Sequence, residues 1–161
     1  MAQTMKIIKT LSPVILVLGI SYLTSGFISI YNWCVSVANV GCPLYPSLMP
    51  GDLGLAIVTL TIGASLTISI YYILKENRIM HLASATCGMW LALGVLMIQI
   101  MVAIAAILDS IITGGEVNYS IISSVIKENI LRIDVILGCI ILPISIPYTL
   151  MLKKLIEKRS E

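Results

Sequence analysis

Four apolar runs, each long enough to cross a lipid bilayer, dominate this sequence. A membrane-spanning helix needs about 20 consecutive, predominantly apolar residues. Charged residues make up only 11% of the 161-residue chain and hydrophobic residues 58%, whereas soluble domains carry about 25% charged residues. The sequence therefore predicts an all-α, integral membrane four-helix bundle built by residues 1–161 as a single domain. Its predicted spans are residues 11–31, 53–74, 82–108 and 133–152.

The first run is longer than the apolar core of a signal peptide, and no small-x-small cleavage site follows it. We therefore expect this run to remain in the protein as a span. A cleaved signal peptide is the alternative, and cleavage would remove one span and turn the new N-terminus outward.

The basic residues predict the orientation of the chain. Only Lys127 and Arg132 fall on one side of the predicted bundle. The other side receives Lys6, Lys9, Lys75, Arg78, Lys153, Lys154, Lys158 and Arg159. By the positive-inside rule, both termini are expected in the cytoplasm, with loops 32–52 and 109–132 outside the cell membrane. The net charge of +2 is too small to suggest a nucleic-acid partner.

The two outward loops differ in character. Residues 32–52 are rich in proline and glycine, which forbid a continuous helix, and Tyr31, Trp33 and Tyr45 suit a membrane interface. In residues 117–130, apolar residues recur at helical spacing opposite polar ones. This pattern predicts an outward amphipathic segment before the last span, lying on the membrane or on the neighbouring helices. The same interval contains Asn118-Tyr119-Ser120, a glycosylation sequon.

Two of the four cysteines, Cys34 and Cys42, lie in the first outward loop. A disulfide between them would close a short ring and stabilise the protein by about 2–3 kcal/mol on the chain-entropy model. A redox-active pair and unpaired thiols are the alternatives. Cys87 and Cys139 lie at different depths in their spans and are expected to be packing residues.

Four spans, cytoplasmic termini and the spacing of Cys34 and Cys42 resemble the vitamin K epoxide reductase group. The resemblance implies a membrane thiol–disulfide oxidoreductase whose second pair, Cys-x-x-Cys, lies at the outer end of the last span. The matching stretch here, residues 139–142, has only its first cysteine, so a thiol relay lacks its exchange partner. The order Trp33, Cys34, Cys42 also resembles the first loop of claudin-like tetraspans, although their loop is much longer.

Few polar side chains fall within the spans. Gln99, in the middle of the third span, either hydrogen-bonds a neighbouring helix or lines a pore or headgroup site. His81 is expected at the solvated edge of the third span, and Asp134 is expected to be satisfied by Arg132 or water. No second strong ligand at the depth of His81 is apparent, so neither a metal nor another cofactor is expected.

Small residues at four-residue spacing predict where the helices approach closely, because small side chains allow backbones in a membrane to touch. The first three spans each carry one such row: Ser21, Ser25 and Ser29; Thr59, Gly63 and Thr67; and Ser84, Gly88 and Ala92. In the fourth span, Pro143 and Pro147 predict a kink.

Three functions remain open from the sequence. The favoured prediction is a membrane protein without its own catalysis, acting as an accessory, scaffolding or assembly subunit. Its expected partners are the lipid bilayer and either other membrane subunits or further copies of itself. The first alternative is an oligomeric pore or carrier in which Gln99 and the row Thr59, Gly63, Thr67 line a shared cavity. The second is the thiol–disulfide oxidoreductase.

Overall fold

The computed structural model describes residues 2–114 and 131–160, with side chains for residue 8 and for residues 10–112 and 131–157. The described part of the chain is helical and contains four long helices. They are α1 (Ala2–Ala38), α2 (Leu53–Leu74), α3 (Arg78–Gly114) and α4 (Ile133–Ser160). Each is long and apolar enough to cross a membrane, so the prediction of four apolar spanning helices is confirmed.

Local capping explains the tight connection between α2 and α3. The Lys75 backbone N–H donates to the Tyr71 carbonyl and closes the last turn of α2. Glu76 then takes a positive φ of 57°, which reverses the chain. The Asn77 side chain accepts a hydrogen bond from the Met80 N–H at 3.2 Å, satisfying one of the free donors at the start of α3. At the other end of α2, the Asp52 side chain caps Leu55 in the same way at 3.1 Å.

Close approaches between helices fix an antiparallel register. Gly19 of α1 lies against Thr67 of α2, and Gly26 lies against Leu60, so residue numbers rise in α1 as they fall in α2. The same relation links α2 to α3, because His81 meets Ser69 and Gly88 meets Leu66. It also links α3 to α4, because Trp90 meets Thr149 and Gly138 meets Leu96. The bundle therefore has a turn end, which holds residues 75–77, and a loop end, which holds residues 39–52.

The apolar core runs along the whole bundle. It includes Ile15 and Tyr22 of α1, Leu66 of α2, Met89 of α3 and Ile141 of α4. Each helix packs along the next one in the chain, whereas α1 and α4 touch only slightly. The long outer faces are apolar and exposed, which suits contact with lipid.

The predicted spans lie within the four helices, and α2 has the same bounds as its predicted span. The other three helices are longer than the apolar runs. In particular, residues 32–38 belong to α1, although the sequence places them in the outward loop. The helix α4 continues through Pro143 and Pro147. The predicted amphipathic segment at 117–130, and Asn118 with it, lie outside the described residues.

Candidate functional site

A buried histidine joins three helices near the turn end of the bundle. His81 of α3 is fully buried. Its Nδ1 lies 2.8 Å from the Ser69 carbonyl oxygen of α2, and its Nε2 lies 3.4 Å from the Tyr148 hydroxyl of α4. The expectation of a solvated His81 is therefore wrong. It failed because α2 and α4 both end beyond the level of His81 and cover it.

The Ser69 carbonyl fixes the direction of the hydrogen bond at Nδ1, and the direction of the second bond follows for a neutral ring. A carbonyl oxygen only accepts, so Nδ1 carries the proton and donates to Ser69. The Nε2 of the neutral ring is then an acceptor, and the Tyr148 O–H donates to it. The two rings also meet edge to face, with centroids 5.8 Å apart. This arrangement links α2, α3 and α4 through one side chain.

A second buried polar residue, Asn32, organises the loop end. Its Nδ2 donates to the carbonyl oxygens of Leu44 at 2.8 Å and Met49 at 2.6 Å, and its Oδ1 accepts from the Leu44 N–H at 2.7 Å. The chain at Gly51 runs against the backbone of Asn32 and Trp33. The loop is also tied to α4, because the Ile133 N–H donates to the Leu48 carbonyl at 3.2 Å. The loop is therefore held closely against the bundle.

The predicted disulfide between Cys34 and Cys42 is not formed, since both residues are exposed, free cysteines. Cys34 lies in α1 two residues after Asn32, which is about 200° around the helix. It therefore faces away from the side of α1 on which Asn32 holds the loop. Cys87 and Cys139 are also free and exposed, so neither is the buried packing residue that the sequence suggested.

Gln99 lies between α3 and α4, near the loop end. It is partly buried and lines an apolar cavity of about 260 Å³ together with Leu96, Ala103, Val135 and Cys139. The row that the pore hypothesis assigns to the same cavity lies elsewhere. Thr67 and Gly63 of that row face Gly19 and Leu23 of α1.

The small residues singled out by the sequence occupy different environments. Ser25 and Ser29 are buried, whereas Ser21 is only partly buried and donates to the Val17 carbonyl of its own helix. An added Cβ on Gly63 would lie 2.7 Å from the Leu23 backbone nitrogen. At Gly88 the nearest atoms belong to the Leu66 side chain, at 3.1 Å.

Gly94 differs from the helical glycines that pack against a neighbouring helix. Five others would each place an added Cβ within 3.1 Å of the adjacent helix, namely Gly19, Gly26, Gly63, Gly88 and Gly138. Gly94 of α3 has no neighbouring atom within 4 Å. It lies on the exposed face of α3, with Trp90, Met97 and Met101 around it. We call the exposed residues 87, 90, 91, 94, 97, 98 and 101 the Gly94 face.

The sequence predicts that Arg132 or water satisfies Asp134, and the structure shows Arg132 in this role. Asp134 is buried and forms a salt bridge with Arg132, whose Nε lies 3.2 Å from Oδ1. Two buried hydroxyls, those of Tyr22 and Thr86, have no hydrogen-bond partner within the described chain. In the same part of the chain, no three His, Cys, Asp or Glu side chains cluster as a metal site would require.

The four spanning helices define the class of this chain, which is a multi-pass helical membrane protein. No family model, curated protein or solved structure matches it.

Proposed function

We propose that this chain is an accessory, scaffolding or assembly subunit of a membrane complex, without its own catalysis. In this proposal the Gly94 face of α3 binds a helix of a partner membrane protein. The observation that carries it is the contrast between Gly94 and the five glycines that contact neighbouring helices.

A glycine inside a helix costs about 1 kcal/mol relative to alanine. At the five contacting glycines, close approach between backbones offsets this cost, because a Cβ would collide with the next helix. Within the described chain nothing approaches Gly94. A helix from another protein could approach the α3 backbone closely at Gly94, because glycine has no side chain to keep it away.

The rest of α3 supports a lateral contact. Only 22% of its apolar stretch is buried, whereas the share is between 33% and 39% in the other three helices. The exposed Met97 and Met101 flank Gly94 by one and two turns. Methionine is flexible and polarisable, and it adapts well to the surface of a partner.

The proposal also places the protein in the cell membrane with both termini in the cytoplasm. Lys75, Arg78, Lys153 and Lys154 lie toward the turn end of the bundle. At the loop end, Arg132 is the one cation among the described residues. This distribution favours the turn end as the cytoplasmic side under the positive-inside rule.

The test is purification of the tagged full chain from its native membrane in mild detergent, with the particle mass measured and every associated chain identified. We expect a stoichiometric complex with another membrane protein. Gly94→Leu should release the partner, because the leucine side chain fills the space in which the two helices would cross. Val17→Leu, which adds bulk to an exposed position on α1, should retain it.

The native thiol of Cys87 locates the contact directly. Cys87 is exposed and precedes Gly94 by one heptad, so the two lie within about 20° on the same helix face. A photo-crosslinker attached to Cys87 should capture the partner in membranes. A homo-oligomer without other chains, or a partner retained by Gly94→Leu, would contradict the proposal.

A further inference from the structure

The stretch of chain without charge is longer than a membrane crossing requires. No Asp, Glu, Lys, Arg or His occurs between Lys9 and Asp52. The crossing part of α1, Thr10–Ala38, has 29 residues, which is roughly 43 Å of helix. The hydrocarbon core of a bilayer is only about 30 Å thick. The uncharged stretch therefore includes the end of α1 and the whole loop of residues 39–51.

This loop does not project away from the bundle. Its backbone returns to Asn32, which binds Leu44 and Met49, although α1 continues to Ala38. Six helical residues correspond to about 9 Å, so much of the loop lies beside the last turns of α1. The polar interfacial layer of a bilayer is roughly 5–8 Å thick on each side, which is a similar depth.

Four large apolar side chains are exposed on the loop. The Asn32 bonds take up backbone polar groups on the inner side, whereas Val40 is 70% exposed and Tyr45 is 68% exposed. Leu44 and Leu48 are exposed beside them. A contiguous apolar patch on a protein surface marks a binding surface for protein or membrane.

We propose that residues 39–51 lie in the lipid interface of the leaflet at the loop end, with Val40, Leu44 and Tyr45 inserted among headgroups and upper acyl chains. Two observations favour lipid over a protein partner. The loop lies beside the last turns of α1, and this helix is longer than the hydrocarbon core of a bilayer. The loop also contains no charged residue, whereas a typical protein interface is surrounded by a polar rim.

The native Cys42 gives a probe within the loop. It is exposed, and no cysteine of the chain is in a disulfide, so Cys34, Cys87 and Cys139 can be replaced by alanine without breaking one. The full chain carrying an NBD fluorophore on Cys42 is placed in phosphatidylcholine nanodiscs, which expose both bilayer faces to solution. Quenching is measured with a nitroxide on carbon 5 of the lipid chain and with aqueous iodide. Glu76→Cys, in an otherwise cysteine-free chain, carries the same label in the exposed turn at the other end.

We expect the lipid nitroxide to quench the label on Cys42, and iodide to quench it several-fold less than the label at position 76. Adding Val40→Asp should raise iodide quenching at Cys42, because it places a charge among the inserted side chains. Iodide quenching equal to that at position 76 would show a loop in water, available to a soluble or protein partner. Quenching by neither reagent would show a loop covered by protein. Either result, or an unchanged signal in Val40→Asp, would overturn the proposal. None of these readouts depends on the Gly94 face.

Discussion

Removal of the Tyr148 hydroxyl tests whether the hydrogen bond to His81 stabilises the packing of α4 on α3. Tyr148→Phe removes the only donor to His81 Nε2 that the described structure provides and changes no other atom. A hydrogen bond of this kind contributes about 0.5–1.5 kcal/mol. The length of 3.4 Å places this one near the lower end. The free energy of unfolding, measured by titration with SDS in mixed micelles, should fall by that amount.

The matched control is Tyr71→Phe, which removes the same atom from an exposed tyrosine. The control should leave the free energy of unfolding unchanged, because Lys75 contacts the Tyr71 ring and not its hydroxyl. Equal effects of the two substitutions would mean that the bond between His81 and Tyr148 contributes nothing to stability.

Asn32 is expected to matter more, because three hydrogen bonds depend on one amide. Asn32→Leu leaves the Leu44 N–H and two carbonyl oxygens without their partner. Each buried polar group left unsatisfied costs about 1–3 kcal/mol, and the loop is partly open to its surroundings. We therefore expect a total loss of about 2–4 kcal/mol in the SDS titration. The loop should also loosen, so that the Cys42 thiol reacts faster with maleimide.

Asn32→Asp tests the two hydrogen bonds that the Asn32 amide donates separately from the one that it accepts. The carboxylate still accepts from Leu44 N–H but donates to neither carbonyl oxygen, so its effect should approach that of Asn32→Leu. Ser36→Ala, an exposed change one turn away, is the control and should match the unsubstituted chain. A stable protein with an unreactive Cys42 after Asn32→Leu would argue against this anchor.

At the scale of elements, hydropathy predicts which segments cross the membrane but not where the helices end. The bounds of α2 follow from the sequence because a capping Asp52 and a short charged turn enclose its apolar run. The helices α1 and α3 continue beyond the ends of their predicted apolar runs. Helix formation depends on local backbone bonding, and a polar residue such as Asn32 ends the apolar run without ending the helix.

The candidate site was harder to predict than the spans. His81 and Tyr148 are 67 positions apart, and no local pattern links them. Asn32 looks like the first residue of a loop, although it is an anchor inside α1. The sequence signal for Asn32 was a single amide side chain directly after a long apolar run. The salt bridge between Arg132 and Asp134 was predictable because its partners are two residues apart.

Alanine substitutions at Gly63 and Gly94 test the packing of the helices. Gly63→Ala places a Cβ 2.7 Å from the Leu23 backbone nitrogen, which cannot rotate away, so α1 and α2 must separate. Overpacking of this kind costs about 1–3 kcal/mol. Gly94→Ala meets nothing within 4 Å, and alanine is the better helix former by about 1 kcal/mol. In SDS titration of the purified chain, Gly63→Ala should be destabilised and Gly94→Ala unchanged or more stable. The reverse order would contradict the assigned packing of α2 on α1.

For the whole molecule, the open question is which end of the bundle faces the cytoplasm. The helices alternate in direction, so the position of the turn at residues 75–77 determines that of every other connection. Among the described residues, the Lys and Arg side chains gather toward the turn end, and Arg132 alone lies at the loop end. The positive-inside rule counts Lys and Arg residues near the ends of the spans, and this count favours the turn end as the cytoplasmic side.

Labelling with a membrane-impermeant maleimide tests this orientation in intact cells. In a chain whose own cysteines are replaced by alanine, Glu76→Cys should react only after the membrane is permeabilised. Asn118→Cys, in the interval that the sequence places outside, should react before permeabilisation. A single topology requires opposite behaviour at the two positions, because one helix, α3, separates them. If Glu76→Cys reacts in intact cells and Asn118→Cys does not, the bundle is inverted. The proposed interfacial loop would then lie in the cytoplasmic leaflet with its lipid contacts unchanged.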